Sequence, residues 1–148
     1  MKKDNWIIKA FLMTFFIALI FNAISNVIVN SCNNFAVLII LCLAFILIGI
    51  FFDIIGTAVL TANEASFHAK SSKKIKGSRE GVYLVKNSST ISSICNDVIG
   101  DICGIVSGSV AAMLSILVSN KTNFSLVIVT LLISSLVSSL TVGGKAIG

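Results

Sequence analysis

Proline is absent from this 148-residue chain, charged residues make up only 11% of it, and histidine, tryptophan, tyrosine and arginine occur once each. Each shortage excludes something. Soluble globular domains carry roughly 25% charged residues, so a chain this poor in charge does not turn its whole surface to water. One histidine, His68, leaves no Ser–His–Asp set and no histidine-based metal motif, and there is no phosphate-cradling glycine loop, so an enzyme is not expected. The four cysteines, Cys32, Cys42, Cys95 and Cys103, form no CxxC pair and read as small apolar residues of the hydrophobic runs. The net charge is +5, but the basic residues lie between the apolar runs and only Arg79 is arginine. That pattern signals topology and attraction to anionic headgroups, and no nucleic-acid partner is expected.

What the chain has is apolar length. It is 56% hydrophobic with a mean hydropathy of +1.03. The expected fold is an all-α integral membrane protein, one transmembrane domain over residues 1–148. Its four spans lie at about 6–29, 35–60, 91–118 and 124–142. Each meets the roughly 20 residues that a 30 Å hydrocarbon core requires. Lys2, Lys3 and Lys9 stand at the N-terminus, Lys9 near the start of the first span, and Lys70, Lys73, Lys74, Lys76, Arg79 and Lys86 fill the segment between the second and third. Lys145 follows the fourth span, whereas the short connections at 30–34 and 119–123 carry only Lys121. By the positive-inside rule both termini and the 61–90 segment are cytoplasmic, in what is expected to be a bacterial plasma membrane, with Trp6 as an interfacial anchor. Residues 29–32 loosely resemble a lipoprotein signal ending at Cys32, but the first segment reads as a retained helix. Phe67, Ile75 and Val82–Val85 are interspersed with the lysines of 61–90, which predicts short amphipathic helices in the headgroup region, broken near Gly77. His68 reads as solvated or locally bonded.

The third span carries Asn96, Asp97 and Asp101, and the second carries Asp53. A carboxylate in hydrocarbon costs about 2.5–3.5 kcal/mol even on lenient insertion scales, so intramembrane acids mark functional sites by default. Counted from the cytoplasmic ends of their helices, Asp53, Asp97 and Asp101 fall at similar depth, about 9–15 Å in. No lysine or arginine is expected at that level. An external cation is then the natural partner, and carboxylate and amide oxygens suit Mg²⁺ or Ca²⁺. Asn96, Gly100, Gly104 and Gly108 recur every four residues, a double GxxxG column that permits close helix packing within the chain or in a homodimer. The serines and threonine of the fourth span read as packing residues.

These residues also resemble a family. Phe51-Phe52-Asp53-Ile54-Ile55-Gly56-Thr57-Ala58-Val59, a basic amphipathic segment, Ser92-Ser93-Ile94-Cys95-Asn96-Asp97-Val98-Ile99-Gly100-Asp101 and Gly143-Gly144-Lys145-Ala146 follow one another. Their order and spacing are similar to the transmembrane domain of the cyclin-M and CorB/CorC magnesium transporters, over about residues 35–146. The resemblance implies a dimeric magnesium transporter, with cobalt as a second ion. Thr57, Ala58, Asn96 and Lys145 match that pattern, and Asn96 falls at a position the family associates with bound Mg²⁺. Gly56 stands where the family has glutamate, the proline before the terminal lysine is missing, and no CBS pair follows. Asp97 and Asp101 are not family residues and relocate the charge that Gly56 lacks.

The resulting expectation is transport or binding of a divalent cation, most simply Mg²⁺, at Asp53, Asn96, Asp97 and Asp101, with the bilayer, the ion and a second copy as partners. A non-transporting scaffold or accessory subunit, whose polar residues only pack helices, is the alternative. Proton-coupled transport through a carboxyl relay is a third.

Overall fold

With no proline to remove a backbone donor, each apolar run continues as one helix until polar residues stop it. The computed structural model describes residues 3–31, 34–73 and 75–147, and all regular structure among them is helical. Helix α1 is Lys3–Ser31 and α2 is Phe35–Thr61. Two short helices follow, α3 (Glu64–Ser72) and α4 (Ser78–Lys86). Then α5 (Ser88–Ser93), a π-helical stretch (Ile94–Gly100) and α6 (Asp101–Thr122) form one rod, Ser88–Thr122, and α7 is Leu126–Ile147. Four of these, Ile7–Val29 within α1, α2, the rod and α7, are long and apolar enough to cross a membrane.

The breaks have local causes. The Asn63 side chain accepts the Ala65 N–H at 2.9 Å and caps α3. Gly77, at φ 81°, supplies the left-handed turn that separates α3 from α4. Asn123 ends α6 at φ 55°, its N–H bonded to the Ser119 carbonyl. The middle segment is therefore two short helices divided at Gly77. His68 is bonded to Glu64 at 3.2 Å. Cys32 and the Trp6 side chain, assigned roles above, lie outside what is described.

The core lies between α2 and the rod. Leu38, Cys42, Phe45, Ile46, Gly49 and Gly56 are the buried stripe of α2. Against it pack Val98, Ile102, Cys103 and Val106, and further along Val110, Ala111 and Leu114. Met13, Ile17 and Phe21 of α1 cover one side, and Ile133 and Val137 of α7 the other. The Cys42 thiol donates to the Ser107 carbonyl at 3.6 Å, and Cys42, Cys95 and Cys103 are buried free thiols. The outward faces stay apolar: Phe11, Phe16, Ile40, Leu47, Leu131 and Leu132 are all more than half exposed. A belt of this size is compatible with contact with lipid and not with water.

Three boundaries differ from expectation in a way that matters. The rod begins before Ile91 and ends after Val118, and α7 runs on to Ile147. With no proline at Gly143–Lys145, that helix does not stop at Val142. Lys145 is carried along it as part of the bundle.

Candidate functional site

The polar groups of the bundle collect where α2, the π-helical stretch and α7 meet. A π turn closes with i→i+5 bonds and inserts one residue into the helix, a device found often at functional sites. Here it spans Ile94–Gly100 and carries Asn96 on the side facing α2. The Asn96 Nδ2 donates to the Ser92 Oγ at 3.4 Å. The Asn96 Oδ1 is fully buried and has no hydrogen-bond partner. It lies directly over Gly56: a methyl group added there would overlap Oδ1 and stand 3.1 Å from the Cys95 Cβ. Glycine at 56 is what lets the amide oxygen approach the α2 backbone.

One turn earlier on α2 is Asp53, whose side chain is 18% exposed. Lys145 Nζ pairs with its Oδ1 at 3.1 Å. That ammonium also lies 3.5 Å from where a Gly100 Cβ would stand, so Gly100 leaves room for it beside the rod. Gly144 admits the Ile50 side chain and draws α7 onto α2. Thr57 and Thr61 turn their hydroxyls back onto the Asp53 and Thr57 carbonyls, at 2.6 and 2.9 Å. The polar groups of this junction are thus one carboxylate paired with one ammonium and, one turn of α2 further along at Gly56, one unpartnered amide oxygen.

Two expectations are corrected here. The three carboxylates do not meet: among the described residues no three acidic, histidine or cysteine side chains gather as a ligand set. Asp97 and Asp101 are exposed on the outer face of the rod. The cause is register. Cys95, Val98, Ile102 and Val106 form the apolar stripe that packs on α2 and α1, and Asp97, Asp101 and Ile105, one residue before each of the last three, are turned about 100° from it and stay exposed. A basic residue does stand at this level, since Lys145 neutralises Asp53.

The depth of the charges follows from helix rise. At 1.5 Å per residue, Asp53 lies about 27 Å from Phe35, Lys145 about 28 Å from Leu126 and Asp101 about 31 Å from Thr122. All three sit in one layer, near the bundle end that carries α3 and α4. They are roughly one hydrocarbon thickness from the far end, where charge is less costly than at mid-bilayer.

The glycine column divides. Gly100 is buried in the site, while a methyl on Gly104 or Gly108 would meet nothing within 4 Å. These two line an open groove of about 330 Å³ between α6 and α7, with Ser107, Ser134, Ser138 and Thr141. The Ser107, Ser134 and Thr141 hydroxyls bond carbonyls of their own helices.

Sequence reasoning missed the Asp53–Lys145 pair and the role of Gly56 as the floor under Asn96. The first was signalled by the helix-compatible sequence up to Ile147. The second had no signal short of the packed structure. Comparison with protein-family models, with curated proteins and with solved structures finds no match to this chain.

Proposed function

We propose that this protein binds a divalent cation, magnesium, and conducts it across the membrane, with Asn96 and Asp53 as the ligating side chains. The observation that carries the reading is the Asn96 Oδ1, a buried acceptor without a donor, carried in the π-helical stretch and packed on Gly56, which lies one turn of α2 from Asp53. Leaving such a group unsatisfied costs about 1–3 kcal/mol, and an unsatisfied buried atom calls for an explanation such as a water or an ion. Amide and carboxylate oxygens are hard donors suited to Mg²⁺, which keeps several waters and takes only one or two carboxylates. One aspartate and one amide oxygen are then enough for a partly hydrated ion that must also leave.

Lys145 is the tethered cation that balances Asp53 when no ion is present. Asp97 and Asp101 lie outside the site. The agreement at Thr57, Ala58, Asn96 and Lys145 with the cyclin-M and CorB/CorC pattern supports the same ion. The reading carries with it a homodimer and a cytoplasmic placement of both termini. Gly104 and Gly108, uncovered by their own chain, are compatible with a second copy.

A scaffold or accessory role is favoured by one observation, the Asp53–Lys145 pair, which neutralises the acid with no guest and ties α2 to α7. Flux into proteoliposomes separates the two. Mg²⁺ entry, with Co²⁺ and Ca²⁺ as comparisons, is expected from the wild-type protein and from D97N and D101N, and is expected to be lost in N96L and D53N. Absence of wild-type flux, with D53N lowering only thermal stability, would establish the scaffold reading instead.

A further inference from the structure

The two short helices between α2 and the rod have an outer surface that neither the core nor the cation pocket uses. Their inner faces are spent on each other: the Phe67 ring fills the space beside Gly81, and Ser78 and Val85 are buried. Outward, Arg79, Tyr83 and Lys86 fall at i, i+4 and i+7 on α4, one exposed stripe with the aromatic ring between two cations. Tyr83 is 67% exposed, Leu84 next to it in the chain 41%, and Ile75 in the turn before α4 50%. Lys70, Lys73 and Lys76 are exposed on α3 and the turn that follows it. Among the described residues of this segment, the acids set against these five cations are Glu64 and Glu80, and Glu64 is engaged by His68.

The pair of helices is tethered at both ends. α3 starts at Glu64, just past the end of α2 at Thr61, and α4 ends at Lys86, just before the rod begins at Ser88. Both neighbours are long and apolar enough to span a membrane, so this surface is held beside the bilayer that receives them.

We propose that α3 and α4 form a docking surface for the anionic phospholipid headgroups of that same bilayer. Lysine and arginine supply the attraction, and Tyr83, Leu84 and Ile75 enter the headgroup layer. A tyrosine with an apolar ring and polar tip, flanked by long basic side chains that keep their charges wet, is built for that layer. Charge complementarity selects the occupant. A neutral bilayer offers the apolar residues a place but leaves five cations without counter-ions. An acidic protein segment would satisfy the cations but has no reason to take the aromatic ring to headgroup depth. The inference stands on the α3–α4 surface alone and does not depend on the cation reading.

The full chain, reconstituted in vesicles with the single-tryptophan background W6F/Y83W, reports the contact directly. In phosphatidylcholine vesicles containing about one-third phosphatidylglycerol, the tryptophan emission is expected to shift to the blue and to be quenched by headgroup-labelled lipid. In pure phosphatidylcholine, or at high salt, both effects fall away because the attraction is screened. Each basic residue near an anionic surface is worth about five-fold in association, so R79Q/K86Q lowers the docked-to-free ratio about 25-fold, whereas R79K/K86R keeps it. These side chains are exposed, so helix content stays unchanged and the loss is not one of folding. Equal emission and quenching in neutral and anionic vesicles would overturn the proposal. So would an R79Q/K86Q protein that behaves as the parent, or a response that needs an added acidic protein instead of lipid.

Discussion

Gly56 provides the sharpest mechanical test of the pocket. Replacing it with alanine adds one methyl group, and two effects oppose each other. In a helix interior alanine is favoured over glycine by about 1 kcal/mol. In this structure, however, the added carbon overlaps the Asn96 Oδ1 and presses on the Cys95 Cβ at 3.1 Å. Overpacking of this kind costs about 1–3 kcal/mol. The net expectation is neutral to about 2 kcal/mol destabilising, with the Asn96 side chain displaced from α2. The comparison that isolates the effect is a double-mutant cycle in detergent, read by thermal or denaturant unfolding. N96A removes the overlapped oxygen and leaves only the 3.1 Å contact with the Cys95 Cβ, so G56A in that background should cost clearly less than in the wild type. The coupling between the two changes is therefore expected at about 1–3 kcal/mol, within the usual range for residues in contact. On the proposed reading, magnesium flux should also fall in G56A alone, because the Asn96 oxygen is displaced from its seat on Gly56. If G56A stabilises the protein by the same amount with and without Asn96, the packing of the amide against α2 is wrong, and the pocket with it.

Other expectations follow from the same geometry. G104A and G108A meet no neighbouring atom, so each should leave stability unchanged or raise it by up to about 1 kcal/mol, measured by the same unfolding assay. D97N and D101N change exposed side chains and should stay within about 0.5 kcal/mol of wild type with flux unaltered. K145M strands Asp53, and with the pair only partly exposed its cost should lie between the roughly 1 kcal/mol of a surface bridge and the 3–5 kcal/mol of a buried one; adding D53N should return most of it. With Cys32 replaced by serine, the buried thiols of Cys42, Cys95 and Cys103 should resist a maleimide in folded protein and react on unfolding, as followed by mass spectrometry.

The helices themselves were legible because hydropathy and length carry them. Four apolar runs without proline can scarcely be anything else, and the division of the middle segment at Gly77 followed from its need for a left-handed turn. The site was legible only in parts. Asn96 and Asp53 were named from polarity within apolar runs, and both lie on the faces where α2 meets the rod and α7. Asp97 and Asp101 were named on the same ground, yet the rod turns them outward. The stripe Cys95, Val98, Ile102, Val106 was present in the sequence and would have turned them about 100° away from the buried line, had helical phase been weighed beside charge. Lys145 was placed after the fourth span because the apolar run was ended at about residue 142. Glycine only weakens a helix, by about 1 kcal/mol per residue, and packing of Ile50 against Gly144 holds this one through. The π turn left no readable mark, since its one-residue insertion is decided by how the rod meets α2.

The most direct measurement is the magnesium dependence of thermal stability in purified protein. An ion held by the folded state alone stabilises it by about 2.7 kcal/mol at one hundred times its dissociation constant. Added Mg²⁺ should raise the unfolding midpoint of wild type and of D97N/D101N alike, and leave N96L, folded but lacking the amide oxygen, where it was. A rise in N96L equal to that of wild type, or one abolished by D97N/D101N, would contradict the account.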